Sequence, residues 1–185
     1  MPQLRIILGP MFAGKSSSLI DIANKLIEQG INKKQILLIN HGSDKRYNND
    51  SQICTHDGKT MESVALVNLM DIFTNEKIDI NKIKCIFIDE GQFFNDLYET
   101  VKLLLLTHKK YIYICGLDGD FEQKPFNDSR LLDLIPYATN VLKLTAKCYK
   151  CNATAPFTKR IVNSSEKILV GGAEDYQPVC LEHLV

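Results

Sequence analysis

The sequence predicts an α/β protein: a parallel sheet flanked by helices, with a small lobe appended at the C-terminal end. Three observations predict it. Short, near-continuous apolar runs alternate with segments of helical periodicity, the pattern of strands buried on both faces. Polar stretches rich in Asn, Asp, Gly and Ser punctuate them, as loops do. From Cys148 onward the style changes to short pieces, paired cysteines and a Gly171-Gly172 turn. The 185 residues suit one domain with an appendage, and a chain of that size hides roughly 70% of its unfolded surface. We therefore divide it into a main α/β domain, residues 1–146, and a lobe, residues 147–185.

Leu4-Arg5-Ile6-Ile7-Leu8 is a buried strand by its apolar run. After a glycine-containing turn, Leu19, Ile22, Ala23, Leu26 and Ile27 recur at helical spacing as far as Gly30, a C-terminal cap. Residues 35–39 form a second strand, and the polar stretch 40–59 reads as loop. Residues 84–88 form a third strand that ends in Asp89-Glu90. A helix is expected over 96–108, a strand over 111–115, a short helix over 129–137 and a fifth strand over 140–144.

Composition narrows the function classes. Hydrophobic residues make up 45% and charged residues 24%, which excludes disordered, collagen-like and coiled-coil chains. No apolar run approaches the ~20 residues that cross a bilayer. The run from Leu4 to Leu8 meets Gly9-Pro10 without a signal-peptide layout, so a soluble cytoplasmic protein with no membrane partner is expected. Lys plus Arg and Asp plus Glu number 22 each, and this balance argues against the basic excess with which proteins neutralise nucleic-acid phosphates. The cysteines, Cys54, Cys85, Cys115, Cys148, Cys151 and Cys180, suit a reducing compartment with one metal site better than a disulfide framework.

Gly9-Pro10-Met11-Phe12-Ala13-Gly14-Lys15-Ser16 matches G-x-x-x-x-G-K-[ST] at every fixed position, between a predicted strand and a predicted helix. Its backbone N–H groups would face phosphate oxygens, Lys15 would neutralise the β- and γ-phosphates, and the Ser16 hydroxyl would ligate Mg²⁺. Asp89 would serve the same Mg²⁺ from the end of a second strand. Beside it, Glu90 has two open roles: activating water, as in an NTPase, or taking a proton from a substrate hydroxyl, as in a kinase. Cys148, Cys151, Cys180 and His183 offer three thiolates and an imidazole at two-residue spacings, a tetrahedral set for one structural Zn²⁺ that pins the ends of a long loop. A thiol-redox pair is the other reading of these cysteines. Phe121 and Phe126, after the fourth strand, would wall a pocket for a planar ligand, and Arg46 in the polar loop would reach a transferring phosphate.

In their order along the chain, the phosphate loop, Asp44-x-Arg46-Tyr47, Cys54-Thr55-His56-Asp57, Ile88-Asp89-Glu90-Gly91-Gln92-Phe93-Phe94, Leu117-Asp118-Gly119-x-Phe121, Lys143-Leu144-Thr145-Ala146, Thr158-Lys159-Arg160, Gly171-Gly172-Ala173 and Tyr176 resemble the zinc-containing thymidine kinases, the type II family. The resemblance implies a RecA-like phosphate-loop sheet with a zinc-bound lobe whose "lasso" loop covers the substrate. It implies transfer of the γ-phosphoryl of ATP, with Mg²⁺, to the 5′-hydroxyl of thymidine, Glu90 being the base. Residues 9–16 would hold the donor with Asp44, Lys45, Arg46, Asp89 and Gln92. The nucleoside base would lie against Met11, Leu117, Phe121, Phe126 and Tyr176, its polar edge read near Thr158 and along Lys167, Ile168, Leu169, Val170 and Gly171. A homotetramer is implied as well. This sequence has Phe157 where many members carry Tyr, Asp120 where a smaller residue is common, and His183 where some carry Cys. The C-terminal tail that carries degradation signals in animal members is not expected here. The alternatives are a zinc-bearing ATPase that remodels nucleic acid, which needs a basic groove, and an inactive nucleotide-binding module, which intact Lys15, Ser16, Asp89 and Glu90 disfavour.

Overall fold

The computed structural model describes residues 1–42, 52–54 (as backbone), 60–163 and 171–184. Along the chain lie β1 (Gln3–Leu8), α1 (Lys15–Glu28), β2 (Ile36–His41), β3 (Gln52–Cys54), β4 (Thr60–Glu62), β5 (Val64–Leu66), β6 (Cys85–Ile88), α2 (Leu97–Leu106), β7 (Tyr111–Gly116) and β8 (Asn140–Lys143). The C-terminal part adds β9 (Ala146–Lys147), β10 (Thr154–Ala155), β11 (Phe157–Arg160) and β12 (Tyr176–Val179). Six strands form one sheet in the order β5-β2-β6-β7-β1-β8, and every pairing in it is parallel.

The sheet sorts its side chains by the two-residue period of a strand. On one face Ile7, Phe87, Tyr113 and Cys115 pack against Leu19, Ile20 and Ala23 of α1. On the other, Leu4, Ile6, Ile86, Ile88, Ile112 and Ile114 pack against Leu97, Val101 and Leu104 of α2. The rings of Phe87 and Tyr113 stack at 4.5 Å with planes 6° apart. These two layers make the central strands apolar throughout, which is why they read as continuous hydrophobic runs.

The predicted parallel α/β class holds, with four differences in detail. A sixth strand, β5, lies at the sheet edge, too short at three residues to leave a hydrophobic pattern. The stretch expected to be loop contains β3, which pairs with β4 as an antiparallel hairpin. The short helix expected over 129–137 is a 3₁₀ segment, Leu131–Tyr137, with Pro136 inside it and Arg130 in a left-handed conformation at its start; a proline removes the N–H that an α-turn needs. The helix over 96–108 spans Leu97–Leu106.

The C-terminal lobe is built from two short antiparallel pairs, β9 with β10 and β11 with β12. Its own small core joins Cys148, Ala155, Val179 and Cys180 with Ala146, Phe157 and Leu184. Two hydrogen bonds tie the end of β1 and its loop to the chain beyond β8. Leu144 N–H donates to Leu8 O at 2.8 Å, and Met11 N–H donates to Thr158 Oγ1 at 3.0 Å.

Gly9 is where β1 turns into its loop, with φ of 151° and space for no side chain. A Cβ there would stand 2.5 Å from the Leu144 carbonyl oxygen, which is backbone and cannot swing aside. Gly9→Ala should lower the unfolding free energy by ~1–3 kcal/mol, seen as a lower urea midpoint at unchanged slope.

Candidate functional site

The site lies at the carboxyl ends of β1, β6 and β7, where open α/β sheets bind ligands. Residues 9–16 join β1 to α1. Phe12 and Gly14 hold positive φ of 64° and 77°, turns that carry the loop from β1 into the N-terminus of α1. A helix N-terminus in that position favours anions through its dipole. Lys15 is buried, and its Nζ donates to Pro10 O at 2.8 Å, so the ammonium is folded across its own loop.

Asp89 follows β6 and is 1% exposed. Its Oδ1 accepts from Ser16 Oγ at 2.9 Å and from Cys115 Sγ at 2.7 Å. Strand register explains the meeting. Ile88 pairs with Ile114 and Ile7 with Cys115, so one step beyond β6 brings Asp89 beside Cys115 on the α1 face. Burial, then the neighbouring Asp89 carboxylate, holds the Cys115 thiol well above its usual pKa. It is a thiol, and it donates.

Glu90 is half-buried and left-handed, with φ 51°, uncommon for a residue with a side chain and typical of functional turns. Its Oε2 accepts from Gln92 Nε2 at 2.7 Å, while Gln92 Oε1 accepts from Leu117 N at 3.0 Å. Gln92, expected beside the donor phosphates, is 3% exposed and bridges Glu90 to the backbone beyond β7. Gly116 makes room for it, since a Cβ there would lie 2.7 Å from Gln92 Oε1.

The lobe touches this edge through side chains of β11. Arg160 lays its guanidinium 3.8 Å from the Phe121 ring centre and donates from Nη2 to the Tyr176 hydroxyl at 2.9 Å. Thr158, buried, spends its hydroxyl oxygen on Met11 N–H, which brings Met11, Thr158 and the phosphate loop together. Leu117 and Phe121 come after β7 on the same edge. Asp118 Oδ2 pairs with Lys143 Nζ of β8. Phe126 is further along, in a small cleft with Gln92, Phe93, Asp120 and Asp128. Gly171 leads into the turn that Tyr176 N–H closes on Gly172 O at 3.0 Å. Asp44, Lys45, Arg46 and residues 167–170 lie outside the described residues, as do Tyr47 and residues 55–57.

Cys148, Cys151, Cys180 and His183 meet as the sequence spacing required. Their ligand atoms all lie within 4.8 Å of one another, with Cys180 Sγ 3.2 Å and Cys148 Sγ 3.6 Å from His183 Nδ1, and Cys151 Sγ 3.7 Å from Cys180 Sγ. Three sulfurs and one imidazole nitrogen at these separations suit a tetrahedral Zn²⁺. Burial pushes the Cys148 thiol up, but N–H groups from Cys180, Cys151 and Lys150 outweigh it and bring it down to about 6, toward the thiolate that a metal requires. Lys159 Nζ donates to His183 O at 3.2 Å, tying this corner to β11.

The sequence reading missed Cys115 and the stacking of Arg160 on Phe121. Strand alternation carried a signal for the first: Cys115 stands two residues beyond Tyr113 on the α1 face, level with Asp89 once the register is known. The second joins residues on separate elements and leaves no local trace.

Residues 2–184 match the family profile described as thymidine kinase. The chain is 39% identical over 184 residues to the thymidine kinase of Oryza sativa, covering 98% of this chain and 65% of that protein, which is less than two thirds of its length. It is 39% identical over 178 residues to the cytosolic thymidine kinase of Homo sapiens, 96% of this chain and 71% of that one. It is 36% identical over 177 residues to the thymidine kinase of vaccinia virus, 96% of this chain and 93% of the viral protein.

A metal on the Cys3His corner would close the chain between Cys151 and Cys180 as a cross-link does, which on the loop-closure scale is about 3 kcal/mol. Cys151→Ser should therefore lower the zinc bound per chain and lower Tm by ~6–12 °C, measured by metal analysis and by melting with and without a chelator.

Proposed function

The chain belongs to the thymidine kinase family, and on that footing we propose that it transfers the γ-phosphoryl group of ATP to the 5′-hydroxyl of thymidine, giving dTMP and ADP. The observation that carries this reading is the juxtaposition at one sheet edge: Ser16 of the phosphate loop bonded to Asp89, Glu90 next in the chain, and the loop itself bonded through Met11 to Thr158 of the lobe. On this reading a donor site, an acidic proton acceptor and a wall for an acceptor molecule would meet there.

In this reading the loop from Gly9 to Ser16 binds the donor phosphates, and Lys15 exchanges its bond to Pro10 O for phosphate oxygens. Asp44, Lys45 and Arg46 would meet the same phosphates from the polar loop, and Gln92 contributes by holding Glu90. Mg²⁺ would be held by Ser16 and Asp89, whose oxygens already share one point, and would supply neutralisation of phosphate charge. Glu90 takes the proton from the 5′-hydroxyl as that oxygen bonds to the γ-phosphorus; the bond from phosphorus to the β,γ-bridging oxygen breaks, and ADP leaves. Such transfers depend mostly on positioning and charge stabilisation, which fits a site built from backbone amides, one lysine and two acids.

The thymine ring would lie among Met11, Leu117, Phe121, Phe126 and Tyr176, with main chain near Thr158 and residues 167–171 reading its polar edge. A structural Zn²⁺ on Cys148, Cys151, Cys180 and His183 would restrain the segment between its knuckles, so that residues 147–185 act as a substrate-covering unit on the domain of residues 1–146. A homotetramer in the cytoplasm completes the reading. The resemblance supports the assembly. The location is supported by the human relative's name.

ADP release from Mg-ATP is the test, run with thymidine, with deoxycytidine, with single-stranded DNA and with no acceptor. Turnover should require the nucleoside and should fall ~10²–10⁴-fold in Glu90→Ala, the range of general-base catalysis. Turnover without an acceptor, or stimulated by DNA, would contradict the kinase reading and favour a remodelling ATPase.

A further inference from the structure

Two buried thiols lie on the α1 face of the sheet, and they differ in company. Cys85 packs among apolar side chains of that layer, the ordinary situation of a buried cysteine. Cys115 is 0% exposed and directs its sulfur at Asp89 Oδ1, 2.7 Å away, the oxygen that also accepts from Ser16. A carboxylate 1% exposed depends on such donors to hold one orientation. Val, Ile or Ala would fill the Cys115 position equally well in a parallel strand, but none of them carries a donor.

We propose that Cys115 is a positioning residue for the metal-binding step: its S–H fixes the Asp89 carboxylate so that Oδ1 stays on Ser16, presetting the pair for Mg²⁺. This rests on the reading of Ser16 and Asp89 given above. The β7 strand stands between β6 and β1, so Asp89 must reach across the end of β7 to meet Ser16. Cys115, near that end, meets it part-way. Cys115 touches no reacting atom and acts only through Asp89.

Three variants separate donor from filler: Cys115→Ser keeps a donor, Cys115→Val keeps the volume without one, and Cys115→Ala keeps neither. Mg²⁺ dependence of ADP binding is measured by calorimetry without thymidine, and Mg²⁺ dependence and the thymidine KM by turnover. Cys115→Val and Cys115→Ala should raise the half-saturating Mg²⁺ roughly two- to tenfold, the scale of one net hydrogen bond, with the thymidine KM unchanged, and Cys115→Ser should restore it. In the metal-free, nucleotide-free protein, the infrared S–H band lost in Cys115→Val should lie below that of Cys85 and rise in Asp89→Asn. Thymidine-dependent turnover with one Mg²⁺ requirement shared by wild type and all three variants would overturn the role of Cys115 alone. ADP binding that ignores Mg²⁺ in the wild type would overturn it together with the assignment of Ser16 and Asp89. An S–H band indifferent to Asp89→Asn would remove the hydrogen bond itself.

Discussion

The carboxylate of Asp89 is the point on which the site depends. It is buried and shared between Ser16, in the first turn of α1, and Cys115 near the end of β7. That meeting requires the strand order β6-β7-β1 with all three parallel. Only then do three chain segments far apart in sequence end at one edge and on one face. Were β6 antiparallel, Asp89 would sit at the opposite edge from the phosphate loop. The apolar layers against α1 and α2 hold the strands in register, so a core built for stability also sets the distances of the polar groups. Glu90 inherits its place from Asp89 and its orientation from Gln92, which is anchored on the Leu117 amide.

The lobe is the second constraint. Among the described residues its hydrophobic core is small, and help comes from two directions. One is the Cys3His corner, which gathers its start and its end. The other is a set of contacts with the main domain: Thr158 on Met11 N–H, Arg160 on Phe121. The first of these engages an amide of the phosphate loop itself. The lobe and the Gly9–Ser16 loop are therefore physically joined, which suits the proposed transfer, whose two substrates must be held together.

Much of this was legible in the sequence. The phosphate loop, the acidic strand end and the metal quartet are local or have short spacing, and each kind of residue there has a chemical reason that pattern reading can trace. The central strands were legible because burial on both faces makes them uniformly apolar. β5 and the β3–β4 hairpin were not, being three residues each, too short for a periodicity to show. Leu131–Tyr137 carried helical spacing, but Pro136 tightened it into a 3₁₀ segment. The Cys115–Asp89 and Met11–Thr158 bonds join residues 26 and 147 positions apart, and such contacts arise from strand order and register, which periodicity does not specify. Gln92 shows the difference: the motif names the residue, while its buried amide bonds Glu90 and the Leu117 N–H through contacts that only the folded chain makes.

The central claim, that donor and acceptor meet between the Gly9–Ser16 loop and Glu90, is tested most directly by a crystal structure with thymidine and a non-hydrolysable ATP analogue with Mg²⁺. The geometry predicts the 5′-oxygen within about 3 Å of the Glu90 carboxylate, in line with the γ-phosphorus, and the phosphates on the loop amides. A nucleoside bound away from Glu90, or phosphates seated elsewhere than on residues 9–16, would contradict it.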